Sequence, residues 1–420
     1  LKYNFPEGER NKKTGCMKKL FLVSSILICS ILSGQNAWYN QAAFGGTPRA
    51  YGIGFSIGTN GYIGLGSNND SARTDLWKFD ANANAWIQVA NLPAQARIGA
   101  AGFALGNLGY VGMGKGTTQL NDFYSYDPVS NTWTQLTPFP GAARSFSMIF
   151  TIGNYAYLGC GRDETSYTPY NDFWKYDPST DTWSPLAAFP GSIRKSGIAF
   201  AIGGNGYMGM GTYTSYYHDF YKYDTTSNSW TACASFPGGD REGAYSCSIG
   251  NTGYVTCGGS PGWPYTNYTD LWQYDAGANA WSALSSFTGS GRRYGSGFVI
   301  NSCLFTCNGC YSNFDPTPFY TGDFHCYCLD FPTGVPEKNN SVISFYPNPF
   351  SSATILHTNI SFTDATLSIV NCFGQTIKKS QHISGTSCSI FRDDLPAGIY
   401  FICLTEGKEI IATGKIIITD

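Results

Sequence analysis

A chain of 420 residues with net charge −2, 13% charged residues, 16% aromatics and 50 glycines is neither a disordered polymer nor a nucleic-acid binder. Disorder needs high charge and few aromatics, and a polyphosphate partner needs a basic stripe. The same balance suits an all-β protein of tight turns and aromatic-rich strands.

At the start, Met17 is followed by Lys18 and Lys19, an apolar run from Leu20 to Leu32, and then small residues. This order predicts a secretory signal peptide over residues 17–37, cleaved near Gly34 to Ala37. Residues 1–16 are expected to precede the true start. The apolar run is too short for an ordinary membrane span, and no later run is longer, so no span is expected in the mature chain.

The middle of the chain repeats. Trp stands at 38, 86, 133, 183, 230 and 281, and eleven residues after each stands an arginine: Arg49, Arg97, Arg144, Arg194, Arg241, Arg292. Seven residues before five of these tryptophans is an aromatic followed by Asp: Phe79, Tyr126, Tyr176, Tyr223, Tyr274. An offset kept while the overall spacing drifts places the drift in one variable loop. Each unit carries four strand signals. In the second unit they are "IGAAGFAL" after Arg97, "GYVGMG" (109–114), "DFYSYD" (122–127) and "TWTQL" (132–136). Such a sheet cannot bury both faces alone, and radial stacking against its copies does so. Glycines in the second strand, such as Gly64 and Gly112, let neighbouring sheets approach.

An aromatic, six residues, then Trp, in units of about 50, resembles the kelch repeat. The resemblance covers residues 38–331 and implies an all-β, six-bladed propeller. The paired glycine of that family stands as such at Gly258-Gly259, and the other complete units have G-x-G. The unit after Arg292 runs out at "DFHCYCLDF" (323–331) with no Trp, and the missing strand is the one carrying Trp38. The N-terminal segment is therefore expected to close the sixth blade, leaving no open radial edge.

Residues 332–341 read as a linker. From 342 to 420, alternating apolar runs and turn residues predict a small C-terminal β-sandwich. Tyr346-Pro347-Asn348-Pro349, Gly374-Gln375, Gly398-Ile399-Tyr400 and the terminal Lys415-Ile416-Ile417-Ile418 resemble the C-terminal sorting domain of Bacteroidetes type IX secretion. The resemblance implies the type IX machinery as a partner, export through the periplasm, and an extracellular or outer-surface location.

Chemistry is sparse. Only His218 and His325 lie in the repeats, so no metal and no cofactor are expected. Cys160, Cys257 and Cys307 read as small buried fillers where other units have Leu65, Met113 or Met210. A Cys247–Cys257 disulfide is open to an exported protein. The six arginines admit two readings, an anion-binding ring or pairing with neighbouring Asp and loop carbonyls. The loops between the second and third strands carry further ligand candidates in Tyr167, Tyr170, Tyr213, Tyr216, Trp263 and Tyr265, suited to stacking on sugars or to a protein contact. The expected function is recognition of a glycan or protein ligand on that face, without catalytic residues. The alternative is a carbohydrate-active enzyme resembling sialic-acid mutarotases, with Arg241-Glu242 and Glu164 in the acid–base roles.

Overall fold

The computed structural model describes residues 36–329, apart from 70, 82, 261–265 and 312–318, and residues 343–371, 376–407 and 409–419. Most of the expected leader, the linker, Gly374-Gln375, Trp263 and Tyr265 lie outside the described residues.

Six four-stranded antiparallel sheets form the blades. Blade 1 runs Ile53–Ile57, Asn60–Gly64, Leu76–Asp80, Ala85–Val89, here called strands a to d from the axis outward. Blade 2 runs Ala101–Leu105, Leu108–Lys115, Gln119–Asp127, Thr132–Leu136, and blade 3 runs Met148–Ile152, Tyr155–Gly159, Phe173–Asp177, Thr182–Leu186. Blade 4 follows with Ile198–Ile202, Asn205–Gly209, Phe220–Asp224, Ser229–Ala232, and blade 5 with Tyr245–Ile249, Thr252–Thr256, Leu271–Asp275, Ala280–Leu284. Blade 6 takes Ser296–Ile300, Cys303–Cys307 and Phe324–Cys328, and its outer strand is Ala37–Asn40, pairing Trp38 with Tyr327 and Asn40 with His325. The ring thus closes through the N-terminal segment, as the missing Trp implied.

The packing repeats because the aromatics repeat. Strand a and strand b stack directly opposite rings, Phe55 on Tyr62 at 5.3 Å and Phe103 on Tyr110 at 5.1 Å. The strand b ring then meets the strand c tyrosine of the next blade, as Tyr62 meets Tyr126 at 5.9 Å. That tyrosine lies against its own blade's tryptophan, Trp133, at 5.0 Å. On the rim, Trp133 donates its indole N–H to the carbonyl of Ala90 in the preceding blade (2.9 Å), and Asn131 Oδ1 accepts the N–H of the same Ala90 (2.9 Å). Trp86 with Asn84, Trp230 with Asn228 and Trp281 with Asn279 repeat this clamp.

Two sequence readings of the cysteines are corrected. Cys247 lies opposite Tyr254, not opposite Cys257, so those two thiols do not meet. The disulfide instead joins Cys303 and Cys328, which face each other directly across strands b and c of blade 6. Cys160 and Cys257 do occupy the position of Leu65, Met113 and Met210, but in blade 6 that position belongs to Asn308, not Cys307. All six residues at this position are left-handed, with φ from 55° to 63°.

The C-terminal domain is one sheet folded on itself. Its long strand Ala353–Asn371 pairs with Ile343–Tyr346 through its first half and with Gly398–Glu406 through its second. Thr376–Phe391 follows it through successive register shifts, so the hairpin bends and serves both layers. Glu409–Ile418 completes the second layer, and a parallel bridge from Phe350 to Ile418 brings the layer edges together. Leu356, Phe362, Ile369, Leu404 and Ile416 fill the core between them.

Candidate functional site

Six arginines, Arg49, Arg97, Arg144, Arg194, Arg241 and Arg292, sit on the connections that lead into strand a, and each is buried. Each makes a two-point pair with an aspartate in or just before strand c of the same blade: Asp75, Asp122, Asp172, Asp219, Asp270 and Asp323. A second N–H of the same guanidinium reaches the carbonyl of the residue sixteen places on, in or just after strand b, at 2.9–3.2 Å, and Nε donates to the carbonyl two residues back. The flat faces are covered too. Arg144 lies over Phe139 (4.9 Å) and Tyr170 (4.2 Å), and Arg241 over Phe236 (4.9 Å) and Tyr268 (3.7 Å).

The arginines therefore pin the d–a connections to the b–c loops, which emerge together on one face. Of the two readings the sequence admitted for these six arginines, the geometry fits pairing with neighbouring Asp and loop carbonyls: every guanidinium is buried and engaged by internal partners. Tyr170 belongs to the same internal packing. Tyr167 differs, being 62% exposed. Tyr213 and Tyr216 are half-buried in the blade 4 loop, where Thr212 and Tyr216 form a bridge.

Two residues beyond each arginine the backbone turns left-handed, at Tyr51, Gly99, Phe146, Ser196, Gly243 and Tyr294, with φ from 56° to 63°. Each of these residues donates its N–H to the carbonyl of the one before it around the ring, at 2.7–3.0 Å, and Tyr51 donates to Tyr294, so the circle is complete. A left-handed residue aims its peptide groups along the circumference, toward its neighbours. Three rings from this circle meet across the axis: Tyr51 with Tyr294 (4.6 Å), Phe146 with Tyr294 (5.7 Å) and Tyr51 with Phe146 (5.9 Å). They fit because the circle also holds two glycines. A Cβ on Gly99 would stand 2.9 Å from the Phe146 ring, and one on Gly243 2.8 Å from the Tyr294 ring.

Around this aromatic floor stand the residues one and eighteen places after each arginine, which bridge to each other: Ile98 with Lys115, Ser145 with Arg162, Lys195 with Thr212, Glu242 with Gly259, Arg293 with Cys310. Here the blades differ. Glu164 is gripped by Arg162, whose Nε lies 3.0 Å from Oε1, and by Lys195 Nζ at 2.7 Å across the blade junction. Glu242 lies 3.6 Å from Arg293. Lys115 Nζ ends on Thr165 Oγ1 at 2.7 Å. Burial alone would raise the Glu164 carboxyl, but the hydrogen bonds from Arg162 and Lys195 outweigh it and hold the group below the usual carboxylate range. Burial, and then the charge of Glu242, push the Tyr294 phenol far up, so it stays neutral.

The aromatic candidates of the sequence are thus split between packing and surface, while Lys115, Arg162, Lys195, Arg293, Tyr51, Phe146 and Tyr294 were missed. Their signal was present at the fixed offsets from each arginine, where one unit has a charge and another an aliphatic residue. A shallow cleft of about 320 Å³, lined by Ala72, Arg73, Thr74, Asp75, Asn91 and Ala96, includes none of these mouth residues.

Comparison with known proteins agrees with this architecture. The family model described as Kelch motif matches residues 109–140 and 159–190, and the model described as Secretion system C-terminal sorting domain matches residues 344–419. A solved structure titled "Structure of YjhT" is similar in fold, with a TM-score of 0.58 at 18% identity over 67% of this chain and 95% of that chain. No curated protein matches the chain. The tail indicates export to the outer surface or beyond. The chain is a kelch-repeat β-propeller protein carrying a C-terminal sorting domain of type IX secretion.

Proposed function

We propose that this exported propeller is a recognition module at the outer cell surface or in the medium, and that it binds a glycan or protein ligand through the face bearing the b–c loops. The observation that carries this reading is the break in symmetry on that face. The four-stranded sheets and the arginine pins repeat in all six blades, whereas the loop face changes its chemistry from blade to blade. Tyr167 and Phe319 stand 62% and 52% exposed there. Large apolar rings held out on pinned loops suit a binding surface, because little ordering entropy is lost on contact.

The test is a glycan array and a surface-protein panel probed with the full exported chain and with its Tyr167→Ala/Phe319→Ala double variant. The expected result is a ligand whose affinity falls at least about tenfold in the double variant. Undiminished binding by that variant would falsify the assignment of this face.

The mutarotase-like enzyme is the second reading, favoured by two carboxylates, Glu164 and Glu242, at one mouth. Against it stands the engagement of Glu164, which two cations hold ionised, so it lacks a proton to give. Incubation with the α-anomers of sialic acid and of neutral sugars, followed by NMR, decides the matter: acceleration of anomer exchange abolished in Glu242→Gln establishes the enzyme.

A further inference from the structure

We propose that the charges sunk in the channel mouth form a subsite for the carboxylate of an acidic sugar, a reading that rests on the loop face being the recognition face. The mouth holds four cations, Lys115, Arg162, Lys195 and Arg293, and two carboxylates, Glu164 and Glu242, among the described residues. The side chains of Arg162, Lys195 and Arg293 are 13–18% exposed, and those of Glu164 and Glu242 17% and 11%. Charges withdrawn this far from water cost free energy unless opposite charge balances them. Glu164 serves two cations at once, and Lys115 meets a neutral hydroxyl. Asp163 does not join them: its carboxylate accepts from Thr165 N (2.7 Å) and Ser166 Oγ (2.8 Å) in its own turn. Among the described residues the set is therefore short of negative charge, and a bound anion would supply it.

The same residues narrow the kind of anion. Glu164 and Glu242 would repel a phosphate dianion or a run of carboxylates, while their oxygens accept hydrogen bonds from hydroxyl groups. The floor of Tyr51, Phe146 and Tyr294 adds apolar ring area beside the cations, with Lys195 Nζ 4.9 Å from the centre of the Phe146 ring and the Arg293 guanidinium 6.0 Å from that of Tyr294. One carboxylate, several hydroxyls and an apolar face together describe a sugar acid rather than a phosphate or an acidic peptide.

The experiment is calorimetric titration of the full exported chain with oligosaccharides ending in glucuronate or galacturonate, with their glucose- and galactose-ended parents, with a glutamate-rich peptide and with inorganic phosphate. The acids are expected to bind at least about tenfold tighter than the parents, less tightly as salt is raised. That preference is expected to disappear in Lys115→Gln, whose partner is a neutral hydroxyl and whose melting curve should match the parent protein. Lys195→Gln, which also unties Glu164, serves as the stronger second variant. Equal binding of acids and parents, or tighter binding of the peptide or phosphate, overturns the subsite. If glycans bind irrespective of charge and still depend on Tyr167 and Phe319, the subsite falls and the recognition face stands. If no glycan binds at all, the subsite falls, and the surface-protein panel alone decides the face.

Discussion

Trp38 and Ser285, 247 residues apart in the chain, are joined by a 3.0 Å hydrogen bond from the indole N–H to the Ser285 carbonyl. It matches the indole bond of Trp86, Trp133, Trp230 and Trp281 on the rim, made here by a strand from the opposite end of the propeller sequence. Trp38 also packs edge-on against Phe287 at 4.8 Å and against Tyr327 at 5.3 Å. Trp38→Ala is expected to destabilise the propeller by about 3–5 kcal/mol, and Trp38→Phe by clearly less, in urea unfolding followed by tyrosine and tryptophan fluorescence. An alanine variant as stable as the parent would mean that ring closure does not depend on this strand.

Asn308 is fully buried, and among the described residues neither its amide oxygen nor its amide nitrogen has a hydrogen-bond partner. The equivalent residues Leu65, Met113, Cys160, Met210 and Cys257 show that an apolar side chain accepts the same left-handed backbone. Asparagine is easier in that conformation by about 1 kcal/mol, but an unsatisfied buried amide costs about 1–3 kcal/mol per group. Asn308→Met should therefore stabilise the protein by about 1 kcal/mol, read as a higher urea midpoint at unchanged slope.

The Cys303–Cys328 disulfide closes a segment of sequence separation 25 within blade 6. By the loop-closure relation its loss should cost about 3 kcal/mol. A Cys303→Ala/Cys328→Ala variant should show that loss in urea, and a reductant should lower the parent to the same midpoint.

Acid should weaken the propeller through its paired carboxyls. Asp75, Asp323 and Glu164 would each be raised by burial, but hydrogen bonds outweigh this: from Arg49 and Trp77 on Asp75, from His325 and Arg292 on Asp323, and from Arg162 and Lys195 on Glu164. Their folded values thus lie below the unfolded carboxyl range of roughly 4. Each contribution is complete above that range and drains away as pH falls through the folded value. Urea midpoints between pH 7 and pH 2 should fall on the acid side only, and Glu164→Gln should flatten part of that decline.

Tyr170 and Tyr167, three residues apart on one loop, should behave oppositely. Tyr170→Ala removes a ring lying on the Arg144 guanidinium and should cost about 1–2 kcal/mol of stability. Tyr167 lies more loosely over Arg162, at 5.0 Å, and is largely exposed, so Tyr167→Ala should leave the melting temperature within about 2 °C and act mainly on ligand binding.

The blade count, the strand order and the N-terminal closure were legible in the spacing of Trp38, Trp86 and their successors, because a repeated rim clamp demands a repeated offset. The sorting domain was legible for a similar reason, its turn and strand residues standing in order. Less legible was the site. Every arginine offers the same guanidinium in one dimension, and only the packed loops reveal that Asp75 or Asp172 has already taken it. Asn308 was legible too, since it stands sixteen residues after Arg292 as Leu65, Met113 and Met210 stand after their arginines, but residue type drew the eye to Cys307 instead.

By itself, then, the sequence determined the wheel: local periodicity, side-chain size and turn chemistry act over a few residues and recur in every unit. Tertiary structure alone decided which charges are spent and which converge. Lys115, Glu164, Lys195, Glu242 and Arg293 come from different blades, and distances between them exist only once six sheets have closed around one axis.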